Sequence, residues 1–153
     1  MELEVTGADG ESIHFHCGES LTARWVSRSI LEDLTYPLVP FVDDVRVVLD
    51  IGANCGAFSV HAACAYPDAQ VHAFEPAEEP FTYLERNAAG LPNVSAHRIG
   101  LHDHDAQLPF FRADESINGS VLRRDEIATG EMETVEVKEA AGWLADQGLD
   151  RAD

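Results

Sequence analysis

The sequence is poor in basic residues: 10 Lys and Arg stand against 28 Asp and Glu, a formal net charge of −18. Nucleic-acid binding rests on Lys and Arg that displace counterions from phosphates, so this deficit argues against a DNA or RNA partner. It argues equally against an anionic membrane surface. No run approaches the roughly 20 apolar residues that span a bilayer, and the opening Met1-Glu2-Leu3-Glu4 has no signal-peptide character. Cysteine is scarce, with Cys17, Cys55 and Cys64 alone and no Cys-x-x-Cys. An odd, scattered set argues against a disulfide framework and makes a reducing cytoplasm the expected location. Asn93-Val94-Ser95 and Asn118-Gly119-Ser120 match glycosylation acceptors; without an export signal both read as chance. Also missing are the G-x-G-x-x-G dinucleotide fingerprint and any G-K-[ST] after a glycine loop, which excludes P-loop chemistry.

The 153 residues suit one domain by length. Leu3 and Val5, then Ile13, Phe15 and Cys17, alternate on either side of Asp9-Gly10, the pattern of a small hairpin. Ser20 can cap a helix that carries Leu21, Trp25, Ile30, Leu31 and Leu34 toward one broad face, with Pro37 and Pro40 ending it. Val45 to Asp50 is a nearly continuous β-branched run, as expected of a strand covered on both faces. A helix from about Ala57 to Tyr66, a strand from Gln70 to Glu75, a helix opened by Pro80 and ended at Gly90, and a strand from Val94 to Ile99 follow. This alternation with helical crossovers predicts parallel strands in the order third, second, first. After Gly100 it weakens. Leu108 to Phe111, Val121-Leu122 and Thr134 to Val137 read as antiparallel strands or loop edges, and Lys138 to Gln147 as a helix stopped by Gly148.

The chemistry concentrates in Val48-Leu49-Asp50-Ile51-Gly52-Ala53-Asn54-Cys55-Gly56, where a strand ends and a helix soon begins. Glycines there let backbone approach a ligand with no Cβ in the way, at the carboxyl ends of strands where open α/β sheets bind ligands. The second landmark is His72-Ala73-Phe74-Glu75-Pro76. A carboxylate at the end of the second strand can accept hydrogen bonds from both ribose hydroxyls. The loop is G-x-x-x-G, with Asp50 just ahead of its first glycine. A pyrophosphate would be repelled by that carboxylate, whereas an ammonium and a sulfonium would be attracted. The loop therefore favours S-adenosylmethionine over NAD. Against this stands the plainer reading: a glycine pair that only makes a turn, Asp50 as a helix cap and Glu75 as a solvated strand end. The two acids on successive strand ends make that reading harder to hold.

These residues resemble the FkbM family of S-adenosylmethionine-dependent methyltransferases, over roughly Trp25 to the C-terminus. The strongest pieces are Val48 to Phe58 and Ala73-Phe74-Glu75-Pro76; Asn87, Asn93-Val94 and Gly119-Ser120-Val121-Leu122 add to them. The resemblance implies an α/β, Rossmann-like class I methyltransferase fold and methyl transfer to a hydroxyl on a sugar or natural product. It places Asp50, Gly52, Asn54 and Gly56 around the methionine part, and Glu75 at the ribose. Gly100, Leu101 and Asp103 would border the adenine, and Ala53, Phe58 and Pro76 belong to the same cofactor site. No catalytic base is assigned.

In the family, the helix resembling Lys138 to Gln147 leads into another central strand. The chain is therefore expected to be C-terminally truncated before its fourth central strand, with an incomplete parallel sheet. Residues 1–44 form a hairpin and helix packing on a cofactor-binding domain of residues 45–153. The alternative is a non-catalytic remnant that binds cofactor weakly or acts as an interaction module. A bare edge at Val45 to Asp50 would invite self-association unless Leu108–Phe111 or Thr134–Val137 folds over it. His14 and His16 share a strand face, and His102-Asp103-His104-Asp105 follows the third strand. Both read as exposed polar residues, and no metal site is assigned.

Overall fold

The computed structural model describes residues 1–7, 10–36, 44–113, 128–149 and 151–152. Strands β1 (Glu2–Thr6) and β2 (Ser12–His16) form the antiparallel hairpin, with Leu3 opposite Phe15 and Val5 opposite Ile13. Leu3, Val5, Phe15 and Cys17 all point into the core, as their alternation predicts. Gly10 takes φ +87° and its N–H donates to Gly7 O, closing the turn; Asp9 lies outside the described residues.

Helix α1 (Leu21–Leu31) starts where expected, because the Ser20 side chain accepts from Ala23 N–H. Its buried face differs from the expected one. Leu21 and Trp25 are 79% and 67% exposed, and Leu34 beyond the helix is 71% exposed, while Ala23, Ser27, Ile30 and Leu31 are buried. Ser27 and Ser29 can face inward because each finds a partner: Ser27 Oγ meets Cys55 Sγ, and Ser29 Oγ donates to Val26 O. The helix also ends well before Pro37. Asp33 takes φ +59°, and Leu34 N–H reaches back to Ser29 O, a left-handed C-terminal cap. Pro37 and Pro40 lie outside the described residues, as do Val121-Leu122 and the Gly119 to Leu122 stretch.

The central sheet is parallel and ordered β3 (Val47–Ile51), β4 (Gln70–Phe74), β5 (Val94–His97). The predicted strand order therefore holds. Helices α2 (Ala57–Ala65) and α3 (Glu78–Ala88) make the crossovers. Helix α3 begins ahead of Pro80, because two carboxylates serve its first turn: Glu75 Oε1 accepts from Ala77 N–H and Glu133 Oε2 from Glu78 N–H. Asn93 closes α2 from below, its Nδ2 lying 3.2–3.4 Å from the carbonyls of Ala63, Tyr66 and Ala69.

A second sheet, unanticipated as such, is ordered β6 (Gly100–His102), β8 (Ala128–Glu139), β7 (Ala106–Ala113). The expected strands at Leu108–Phe111 and Thr134–Val137 pair with each other, Leu108 opposite Val135. Neither covers β3, which among the described residues pairs with β4 alone. Helix α4 (Ala140–Asp146) starts later than expected, because Lys138 and Glu139 finish β8. Gly148, at φ +71°, follows its end. Trp143 anchors it edge-on against Phe74 and His97, at centroid distances of 5.1 and 4.8 Å.

The hairpin and α1 share a core with the start of α2, in which Leu3, Phe15, Ile30 and Leu31 meet Cys55, Ala57 and Val60. The hairpin and α1 thus pack directly on the glycine loop. No helix among the described residues is long and apolar enough to cross a membrane.

Candidate functional site

The chain leaves β3 at Asp50 and Ile51 and turns through three left-handed residues, Gly52 at φ +81°, Asn54 at +51° and Gly56 at +83°. Asn54 tolerates this conformation because its side chain answers a local donor, Oδ1 accepting from Cys55 N–H at 2.8 Å. The N–H groups of Gly52 and Ala53 both donate to Phe74 O, which ties the loop to the end of β4. Asn87 fastens it from the other side. Its Nδ2 donates to Cys55 O and His16 O, and its Oδ1 accepts from His16 N–H. One α3 side chain therefore couples the glycine loop to the hairpin.

Beside this loop lies a cleft of about 430 Å³. Asp50, Gly52, Ala53, Asn54 and Phe58 line one side, together with Ile51, Cys55 and Ala57. Val26, Ser27, Ile30 and Tyr36 form the opposing wall. Sequence reasoning assigned none of these four to the site, nor Ile51, Cys55 and Ala57; an amphipathic helix pattern does not distinguish a core face from a ligand wall. Tyr36 and Phe58 meet edge to face, ring centroids 6.0 Å apart. Of the described residues that line the cleft, Asp50 alone is charged.

Asp50 Oδ2 accepts from Ser59 Oγ at 2.5 Å. Burial raises its pKa above the usual carboxylate range, against that hydrogen bond. The ionised form therefore costs the free protein stability, and the cost disappears as pH falls through the folded-state pKa toward the unfolded one, about 3.9. Asp50→Asn keeps an oxygen for Ser59 and removes the charge. It is expected to raise the melting temperature at neutral pH by about 2–4 °C, roughly 1 kcal/mol. That gain should shrink to nothing as the pH of the calorimetric scan is lowered toward 4. An Asn variant less stable than wild type at pH 7 would show that the charge is well solvated.

The other predicted site residues fall outside the lining of the cleft. Glu75 is buried, 5% exposed, with Oε2 accepting from Asn54 N–H and Oε1 from Ala77 N–H, both at 2.9 Å. Burial raises its pKa as well, opposed by those two backbone donors. Gly56 is packed against Leu84 rather than open to the cleft. Gly100 sits where a Cβ would come within 3.0 Å of Val137 Cγ1 and 3.6 Å of Pro76 Cγ, so Pro76 and Gly100 pack on one another. Leu101 is half-buried on β6, and Asp103 is exposed between two histidines. The Cys55 thiol is pushed up to about 11 by burial, which makes it a small packing residue rather than a nucleophile.

No protein-family model matches the chain. It is 30% identical over 130 residues to a protein of Beauveria bassiana (strain ARSEF 2860) named Methyltransferase 1, covering 84% of this chain and 51% of that one. It is 40% identical over 78 residues to 31-O-demethyl-FK506 methyltransferase FkbM of Streptomyces tacrolimicus, covering 49% of this chain and 28% of that one. Over part of their length the chain is thus similar to proteins named methyltransferase, FkbM among them. It spans about half the length of the Beauveria relative and less of the Streptomyces one. Among solved structures, the P. horikoshii protein TYW2 in complex with MeSAdo is similar at a TM-score of 0.41 and 17% identity, over 65% of this chain and 36% of that one.

Proposed function

We propose that this chain is the S-adenosylmethionine-binding part of a methyltransferase that acts on a hydroxyl of a sugar or natural product. The observation that carries the reading is the charge of the cleft. Among the described residues its lining holds a single charged side chain, the carboxylate of Asp50, beside two aromatic rings and two left-handed loop residues. Such a site suits a ligand with positive charge at its centre, since carboxylates and aromatic faces both attract cations. It suits a pyrophosphate poorly. In this reading Asp50 takes the methionine ammonium, the open space beside Gly52 makes room for the methionine chain, and Tyr36 and Phe58 flank the sulfonium. Glu75 holds the loop and offers its remaining lone pairs to the ribose. Residues 1–44 supply one wall of the site, and residues 45–153 the loop and sheet. Gly100, Leu101 and Asp103 would stand on the adenine side.

Displacement at a sulfonium methyl requires chiefly that donor and acceptor be held in line. This chain's share of that task is to fix the donor. Acceptance by oxygen follows the name of the Streptomyces relative, which is an O-demethyl acceptor's methyltransferase. A cytoplasmic location agrees with three free thiols. Isothermal titration with S-adenosylmethionine, S-adenosylhomocysteine and NAD tests the reading. The first two are expected to bind and NAD to give no saturable heat. Asp50→Asn should weaken S-adenosylmethionine by at least about tenfold, since charged hydrogen bonds contribute about 1.5–3 kcal/mol. Tighter binding of NAD than of S-adenosylmethionine would reject the proposal.

A further inference from the structure

The turn after β6 brings together His102, Asp103 and His104, whose ligand atoms all lie within 4.8 Å of one another. The Nδ1 atoms of His102 and His104 stand 2.6 and 2.5 Å from the same Oδ1 of Asp103. The two rings cross at 90° with centroids 4.7 Å apart, so the nitrogens approach that oxygen from different directions. His104 hydrogen-bonds to it. His102 Nδ1, shut off from solvent, meets it at ion-pair distance but without well-aimed hydrogen-bond geometry. A shielded ring nitrogen without a well-aimed partner is uncommon in folded proteins.

We propose that His102, Asp103 and His104 bind one divalent transition-metal ion, of which zinc fits best. Two imidazole nitrogens and one carboxylate oxygen are a common zinc donor set, and three protein ligands leave the fourth tetrahedral position to water. Magnesium and calcium ask for oxygen ligands and fit poorly. Zinc–ligand distances of about 2.0–2.2 Å set tetrahedral ligand atoms roughly 3.3 Å apart. Asp103 must then draw back by somewhat less than an ångström from its present position, and at 83% side-chain exposure on a turn it has room to do so. The ion would give the His102 nitrogen a well-aimed partner. Lys138, which approaches neighbouring Asp105, is also held by Glu136, so it is not committed to this cluster. The formal charge of −18 favours the arrival of a cation. Because the three residues are consecutive, the site needs no rearrangement of the sheets. Bound metal would stiffen the turn between β6 and β7; the proposal does not rest on the methyltransferase reading, with which it shares Asp103.

Titration of zinc into the whole chain, followed by calorimetry in a chelator-free buffer, tests it. One saturable site per chain is expected, with no heat from magnesium. His104→Gln changes a 63%-exposed side chain and should fold normally; it should weaken zinc by at least about tenfold, as should His102→Gln. His14→Gln removes the other exposed histidine that touches a carboxylate, and Cys64→Ser removes the exposed thiol. Both are expected to leave the site intact. Absence of saturable zinc binding, unchanged affinity in His104→Gln, or loss of the site in His14→Gln or Cys64→Ser would overturn the proposal.

Discussion

Gly56→Val should be the most damaging single substitution in the glycine loop, and its damage should fall on stability. Gly56 takes φ +83° at the start of α2, a conformation that costs an L-residue about 1–2 kcal/mol. A Cβ there would also stand 2.6 Å from Leu84 Cδ1. Leu84 is fully buried against Ala53 and Ala73 and has little room to swing aside. Forcing extra methyl groups into such packing costs about 1–3 kcal/mol more. The sum, about 2–5 kcal/mol, is a large part of the roughly 5–15 kcal/mol that stabilises an ordinary domain. Gly52→Val is the matched control. Its φ is nearly the same, +81°, but nothing lies within 4 Å of the added Cβ. Only the conformational cost of about 1–2 kcal/mol applies, and the chain should remain folded. Gly52 lines the cleft, so the valine side chain should block S-adenosylmethionine even so. Denaturant unfolding separates the two, and calorimetry of the folded Gly52→Val chain completes the test. Equal losses of stability would remove Leu84 from the explanation, and normal binding by Gly52→Val would reduce Gly52 to a turn residue.

That contrast also marks how far the sequence could be read. Two loop glycines after a β-branched strand were legible, because local backbone chemistry dictates them. Which glycine faces the cleft and which meets Leu84 was not, because it depends on where α3 packs. The parallel sheet was legible from Val45 to Asp50, which read as covered on both faces, and from the strand–helix alternation that follows it. Strand β6 was not. Gly100-Leu101-His102 is short and mixed in polarity, and it is defined by parallel pairing with Val137 to Glu139, far along the chain. The α1 face failed for a related reason. Leu21 and Trp25 fit an apolar stripe, yet the helix turns Ala23, Ser27 and Ile30 inward, where serines are satisfied by Cys55 and by backbone. The role of Asn87 was visible only as family likeness. Its hydrogen bonds run to His16, 71 residues away, and to Cys55. No local pattern encodes such a pairing.

Glu75 joins the site to the fold, and its substitution should cost both. Sequence reasoning treats its carboxylate as a ribose acceptor that could be removed from a folded chain. The structure gives it a prior task, since its two oxygens accept from Asn54 N–H and Ala77 N–H in a nearly water-free setting. Glu75→Ala leaves both donors without that acceptor. At about 1–3 kcal/mol for each buried donor left unpaired, the expected loss is about 2–6 kcal/mol. The raised pKa gives this loss a pH signature. Because burial disfavours the ionised form, the Glu75 contribution grows as pH falls through its folded-state pKa, so the gap between wild type and Glu75→Ala should widen on mild acidification. Glu75→Gln isolates the ligand role. It keeps the shape and one acceptor oxygen, and turns its amide NH2 toward one of the two N–H donors. A smaller loss, about 1–3 kcal/mol, should leave it folded for calorimetry. If the carboxylate also meets the ribose, the folded Gln chain should bind S-adenosylmethionine at least about tenfold more weakly, on the order of 1.4 kcal/mol. An affinity within twofold of wild type, in a Gln chain that unfolds cooperatively, would confine Glu75 to bracing the glycine loop. The ribose hydroxyls would then have to be held by a residue other than the acid that ends β4.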